Sequence, residues 1–136
     1  MTTWTREELD KIGEAEELSI ASLRSDGTLR KSVIIWVVRL GDDFYVRSVN
    51  GRTSAWFRGV QTQHEGHIQA GGVEKAVTFV EEDDAALNNQ IDAAYRTKYR
   101  RYAARIINSI ISPQARAATI KLTPHMIGGV ALSMGV

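Results

Sequence analysis

The 136-residue sequence contains no cysteine. This absence excludes disulfide bonds, thiolate nucleophiles, iron–sulfur clusters and cysteine-ligated zinc. The sequence also has no apolar run near the roughly 20 residues that a membrane-spanning helix needs, and its acidic N-terminal segment lacks the pattern of a secretory signal. We therefore expect a single cytoplasmic domain that has no membrane partner.

Acidic residues are absent from the last third of the chain. All 16 Asp and Glu lie at or before Asp92, together with ten of the 17 Lys and Arg, and the remaining seven Lys and Arg follow it. These late cations either pair with the acidic part of the same or a partner chain, or form a basic wall beside an anionic ligand. The net charge of only +1 argues against nucleic-acid binding.

Turn residues and apolar periodicity divide residues 1–124 into one mainly β domain with flanking helices, of the α+β class. Thr5 and Glu8 form a capping box that predicts a helix at 6–15. Alternating apolar residues predict six strands, at 18–23, 29–40, 44–49, 64–70, 73–80 and 117–123. Helical spacing predicts helices at about 84–99 and 102–111. We expect the apolar tail, 125–136, either to fray or to pack on a partner subunit.

The second predicted strand is apolar on both faces, because residues 33–38 read VIIWVV. In so small an antiparallel sheet, one face packs inside a barrel and the other needs a helix, a second subunit or a flat apolar ligand. A homodimer is the simplest of these three answers.

The segment from Arg47 to Ser54 combines the donors that bind phosphate. A guanidinium at Arg47 and another at Arg52 provide planar forks of N–H donors, and the hydroxyls of Ser48, Thr53 and Ser54 add neutral donors. Gly51 allows the turn between them. The alternative interpretation is plain turn chemistry, in which Ser54 caps a helix and Arg52 lies in water.

Several other side chains have two possible roles. Trp36 and Trp56 are either core aromatics or a stacking surface for a planar ring. Tyr95 and Tyr99, one helical turn apart, either line a substrate pocket or form the buried face of a helix. No metal site is predicted, because the nearest histidines, at 64 and 67, point to opposite faces of a strand.

Six short segments together resemble one known family across nearly the whole chain. They are Ile35–Val38, Phe44–Ser48, Trp56–Arg58, Ala70–Gly72, Ala94–Tyr99 and Ser112–Arg116. The family consists of small bacterial proteins of unassigned function, grouped with the FMN-binding split barrels. The wider superfamily includes pyridoxamine phosphate oxidases and deazaflavin-dependent reductases. The resemblance implies a six-stranded antiparallel split β-barrel that is commonly dimeric.

The resemblance also implies a cofactor site at the subunit interface. Arg30 and Ser32 match a position that approaches the flavin phosphate or ring, and residues 33–35 would lie along the ring. Arg47, Ser48 and Arg52 match polar positions around the phosphate, but Thr53 replaces a second basic residue of the oxidases. The residues that we expect to bind cofactor are Arg30, Ser32, Val33, Ile34, Trp36, Arg47, Ser48, Arg52, Thr53, Ser54 and Trp56.

Two functions remain open on this fold. The first is an oxidoreductase that binds FMN or a deazaflavin and transfers hydride to or from a small organic molecule, with Tyr95 and Tyr99 as substrate contacts. This class needs few catalytic side chains, because the cofactor carries the chemistry. The second is a binding or carrier protein without turnover, for example one that binds haem, or one whose cofactor site has been lost.

Overall fold

The computed structural model describes residues 3–125, so the tail predicted at 125–136 lies outside the described residues except for His125. The helices are α1 (Arg6–Glu14), α2 (Ala55–Thr62), α3 (Ala85–Lys98), α4 (Ala104–Ile110) and α5 (Pro113–Arg116). The strands are β1 (Leu18–Ser22), β2 (Val33–Ile35), β3 (Val37–Leu40), β4 (Asp43–Arg47), β5 (Glu65–Ala70), β6 (Val73–Glu81) and β7 (Thr119–Pro124).

The seven strands form one antiparallel sheet in the order β2-β1-β5-β6-β7-β4-β3. The two outermost strands of this order, β2 and β3, are joined only by Trp36, so the chain itself brings the sheet edges together. The sheet therefore curls into a nearly closed barrel with helices outside it, as predicted. The strand count is seven rather than six, because Trp36 interrupts the predicted strand at 29–40 and divides it into β2 and β3. The first of these, β2, begins at Val33 rather than at residue 29.

Local sequence signals set most element boundaries. Thr5 and Glu8 form both bonds of the predicted capping box on α1. Asp84 caps α3 by accepting a hydrogen bond from the Leu87 amide at 2.8 Å. Gly71 and Gly72 turn between β5 and β6 with φ of +58° and +85°, a backbone region that favours glycine. Helix α2 was expected only in the alternative interpretation in which Ser54 caps a helix, and the short α5 that Ser112 caps was not predicted.

Two apolar clusters explain why residues 33–38 are apolar on both faces. Val37 points into the barrel, where it joins Phe44, Val46 and Ile120 in the main core. Val38 points outward and packs with Ile91 of α3 in a second cluster. Helix α3 therefore covers the outer face of β3, whereas Ile34 on β2 remains 60% exposed.

Candidate functional site

A cavity of about 330 Å³ lies where β2 passes into β3. Four parts of the chain form its walls: residues 33–36, the end of β4 with the following turn (47–50), Ser54 and Trp56 at the start of α2, and residues 106, 109 and 110 of α4. We call this space the apolar cavity. Its volume is at the lower end of the range of about 300–1,000 Å³ that small-molecule sites occupy.

The structure brings together at this cavity many of the residues predicted to bind a cofactor. They are Val33, Ile34, Trp36 and Trp56, predicted for the ring, and Arg47, Ser48 and Ser54, predicted for the phosphate. Ser32 is exposed and does not line this cavity. The polar side chains of the wall are mainly neutral, and they include Ser48 and Ser54. The hydroxyls of these two serines lie 2.8 Å apart, and the Ser54 hydroxyl also caps α2. The cavity thus suits a largely apolar group with a few hydrogen-bonding atoms.

Arg47 is buried, with 1% of its surface exposed, and its guanidinium bonds only to protein. It donates to Asp92 Oδ1 at 2.5 Å, Asn88 Oδ1 at 2.7 Å and Thr119 Oγ1 at 3.0 Å, and also to the carbonyls of Asn88 and Ile110. All three guanidinium nitrogens are therefore engaged. Arg47 lines the apolar cavity, but its guanidinium joins β4 to α3 and α4, so the structure gives no support to its predicted phosphate contact.

Three of the seven cations that follow Asp92 pair with acidic residues of the same chain. Asp92 also accepts from Arg116 at 2.6 Å, Arg101 pairs with Glu16, and Lys121 lies 3.7 Å from Asp43. These three cations therefore pair within the chain and do not form a basic wall beside an anionic ligand.

Arg52 and Thr53 lie away from the apolar cavity. Arg52 donates to Glu81 Oε1 and to the Ala117 carbonyl, each at 2.8 Å, and its guanidinium carbon lies 5.2 Å from the centre of the Phe57 ring. Thr53 is exposed at the end of a single 3₁₀ turn. The expected phosphate contacts of both residues therefore find no support, because the loop turns their side chains to another side of the domain.

Trp36 is held in place by stacking on Tyr99, which lies outside the cavity lining. Its ring stacks on Tyr99 with centroids 3.9 Å apart and planes 3° from parallel. The Tyr99 hydroxyl accepts from the Val37 amide at 3.2 Å and donates to the Glu16 carbonyl at 2.8 Å. The cavity wall at Trp36 is therefore rigidly supported by α3.

Tyr95 and Tyr99 do not line the apolar cavity, so the predicted substrate contacts are not formed. Both side chains are fully buried in the second cluster, and burial raises the pKa of each hydroxyl. The neighbouring Lys98 donates to the Val37 carbonyl at 2.7 Å, and burial lowers its pKa to about 8. The alternative interpretation, the buried face of a helix, describes these residues.

Sequence reasoning missed the contribution of α4. Ile106, Ser109 and Ile110 close one side of the cavity, more than 50 positions after Ser54. The carbonyl of Ile110 accepts from Arg47 at 3.1 Å, which fixes the end of α4 against β4. The spacing of residues 106 and 110 signals a helix face, but no local signal identifies what that face covers.

Arg30 lies in a neighbouring basic groove rather than in the apolar cavity. Two adjoining cavities of about 310 and 300 Å³ form this groove, and they share Arg30 and Ala55. Its cations are Arg24, Arg30, Lys31 and Arg58. The first of the two cavities shares Val33 and Trp56 with the apolar cavity. The wall of this first cavity is itself mainly apolar, so the groove differs from the apolar cavity by the cations on its wall, and the two spaces meet at these two side chains.

Within residues 3–125, no three His, Cys, Asp or Glu side chains are arranged to hold a metal ion. None of the helices there combines the length and the hydropathy needed to cross a membrane.

Solved structures with the same fold are similar to this chain at low sequence identity. An F420 reductase is 11% identical over 86% of this chain and 90% of its own, with a TM-score of 0.54. HutZ, the haem storage protein from Vibrio cholerae, is 13% identical over 88% and 89%, with a TM-score of 0.58. A putative pyridoxamine 5'-phosphate oxidase from Listeria innocua is 10% identical over 86% and 88%, with a TM-score of 0.56. These similarities establish the split-barrel fold.

The sequence itself identifies the family. No curated protein sequence gives a significant match. A family model does match, over residues 8–122, which includes β1 to β6 whole and all but the last two residues of β7. This split-barrel chain therefore belongs to DUF2255, a family of uncharacterised proteins conserved in bacteria.

Proposed function

We propose that this protein is a cytoplasmic oxidoreductase that binds FMN or a deazaflavin, with the ring in the apolar cavity and the anionic arm in the basic groove. The observation that carries the proposal is the junction of these two spaces at Val33 and Trp56. A flavin-type cofactor has the same two parts, a flat apolar ring and a charged arm. The name of one solved structure with this fold, an F420 reductase, supports a deazaflavin as ligand, and that of another, a putative pyridoxamine 5'-phosphate oxidase, supports redox chemistry.

The residues present fit such a cofactor. Val33, Ile34 and the indoles of Trp36 and Trp56 offer an apolar and aromatic surface to the ring, and Ser48 and Ser54 offer hydroxyls to its polar edge. When bound, the cofactor would supply the hydride chemistry. This chain would bind and orient the ring, limit the access of water and present the substrate face.

A carrier protein without turnover is the second candidate. It is favoured by the cavity lining, in which Arg47 is the only ionisable side chain and has all its nitrogens engaged. The similarity to a haem storage protein makes haem one possible cargo. Haem iron is ordinarily held by His, Cys, Met or Tyr, and none of these lines the apolar cavity among the described residues. A flavin-type ring therefore suits this lining better than haem.

Titration of the purified protein with riboflavin, FMN, a deazaflavin and haemin tests the proposal. We expect saturable binding of the flavin-type compounds at micromolar concentration and quenching of their fluorescence, because two tryptophans line the cavity. Reoxidation of the chemically reduced, bound cofactor by small quinones or enones then separates an oxidoreductase from a carrier. If none of the flavin-type compounds binds, the proposed function is wrong.

We also propose that a second copy of this chain covers the exposed apolar rim of the cavity. Ile34, Val49 and Ile106 are 60%, 45% and 38% exposed, and all three line the cavity. Exposed apolar side chains grouped at one mouth are typical of an interaction surface. A homodimer through this rim would complete the enclosure of a bound ring.

The substitution Ile34→Glu tests this dimer. A carboxylate buried at a symmetric interface would face its own copy, so we expect the variant to sediment as a monomer and the native protein as a dimer. Val80→Glu is the matched control, since Val80 is also exposed, at 42%, but does not line the cavity. The dimer proposal fails if the native protein is monomeric or if both variants remain dimeric.

A further inference from the structure

The basic groove has four cations without an acidic partner. Among residues 3–125, none of Arg24, Arg30, Lys31 and Arg58 forms an ion pair, although Arg47, Arg52, Arg101 and Arg116 all do. The one carboxylate of the hairpin after β1, Asp26, accepts from the amide and the hydroxyl of Thr28, at 3.0 and 2.7 Å. The groove therefore carries excess positive charge that the described part of the chain does not neutralise.

The hairpin after β1 fixes the positions of two of these cations. The Arg24 guanidinium donates to the Leu29 carbonyl at 2.8 Å and to the Thr28 hydroxyl at 3.2 Å. The Arg30 amide donates to the Ser22 carbonyl at 2.9 Å, which sets Arg30 across from Ser22. Hydrogen bonds to the backbone therefore fix where Arg24 and Arg30 lie in the groove.

Gly59 allows this hairpin to lie close to α2. A methyl group added at Gly59 would lie 2.7 Å from Ser22 Oγ and 3.0 Å from Arg30 Cδ. Helix α2 begins at Ala55, which lines both cavities of the groove. The partial positive charge of a helix N-terminus therefore adds to that of the four side chains.

We propose that the basic groove binds an arm that carries more than one anionic group, such as a diphosphate or a series of carboxylates. This inference rests on the proposed function and specifies its cofactor, since a single phosphate would leave part of the groove's charge without a counterion. The four exposed cations line two adjoining cavities whose walls hold no carboxylate, so an extended polyanion can pair with more than one of them. The cofactor is then one with a polyanionic arm rather than a simple ring monophosphate.

Inorganic pyrophosphate and inorganic phosphate test the groove without any ring. At constant ionic strength, we expect calorimetry to give an affinity for pyrophosphate at least about tenfold above that for phosphate. The double variant Arg30→Gln with Arg58→Gln should lose at least about tenfold in pyrophosphate affinity. Arg96→Gln is the control, because Arg96 is exposed on α3 and lines no part of the groove. Equal affinity for the two anions, or an equal loss in the control, would overturn the inference.

Riboflavin, FMN and FAD then separate the inference from the proposed function. We expect FAD to bind more tightly than FMN and FMN more tightly than riboflavin, with increasing salt weakening the two charged ligands. If all three compounds bind with equal affinity, the ring site stands and the polyanion inference is wrong. If FMN and FAD bind with equal affinity but riboflavin binds more weakly, the groove takes one phosphate only and the polyanion inference is also wrong. If pyrophosphate binds but no ring compound does, the proposed function fails while the anion site stands.

Discussion

Replacing Arg47 with methionine is expected to lower the free energy of unfolding by about 3–5 kcal/mol, the usual loss when one partner of a buried ion pair is removed. The substitution leaves Asp92 with only the partly exposed Arg116, and it leaves the Asn88 and Ile110 carbonyls without their donor. Methionine keeps much of the side-chain volume, so the effect reports lost polar contacts rather than a large cavity. Urea unfolding followed by circular dichroism measures it.

Arg52→Met is the matched control for this prediction. Arg52 also pairs with a carboxylate, Glu81, but 46% of its side chain is exposed. An exposed pair contributes roughly 0–1 kcal/mol, so the control should lose little stability. If Arg47→Met unfolds like the native protein and loses only phosphocofactor affinity, the structural role assigned here is wrong and the predicted phosphate contact is restored.

Replacing Ser109 with tryptophan is expected to weaken the binding of a flavin-type ring by about 100-fold or more, equivalent to roughly 2.7 kcal/mol. Ser109 lines the apolar cavity from α4, and an indole at this position occupies space that the ring would need. Its hydroxyl bonds only within the helix, to the Ile106 carbonyl at 2.6 Å, so the fold does not depend on it. Fluorescence titration with riboflavin measures the change.

Asn108→Trp is the control for this blocked cavity. Asn108 is the preceding residue of α4, it is exposed, and it does not line the cavity. The control should bind riboflavin like the native protein and both variants should unfold at a similar urea concentration. Undiminished binding by a stable Ser109→Trp variant would remove the apolar cavity as the ring site.

Prediction from sequence succeeded where the signal is local. The Thr5–Glu8 capping box forms as predicted, and the Asp84 cap and the Gly71–Gly72 turn likewise depend on residues within a few positions. It failed at the strand break, because an apolar run such as 33–38 does not show where the chain bends from one sheet edge to the other. It also gave no partner for α4, whose contact with Arg47 spans 63 residues.

The phosphate cradle predicted at 47–54 shows the limit most clearly. Arginines and hydroxyls on a turn have the right donors for phosphate, but a donor is useful to a ligand only if the folded protein leaves it free. Asp92, Asn88, Thr119 and Glu81 take these donors from distant positions in the chain. The cations of the basic groove, which form no ion pair among residues 3–125, belong to another segment, the hairpin after β1 and the first turn of α2.

The sequence by itself determined the class of fold, the family and the position of the apolar strand beside the site, because periodicity, caps and turns act over short distances. Only the tertiary structure decided which side chains meet. Whether Arg47 binds a ligand or holds the core, and whether Tyr95 and Tyr99 face a pocket or a helix interface, depends on burial and on partners 40 or more positions away. Such pairings are set by the packing of the whole barrel and by the cost of leaving a buried polar group unpaired.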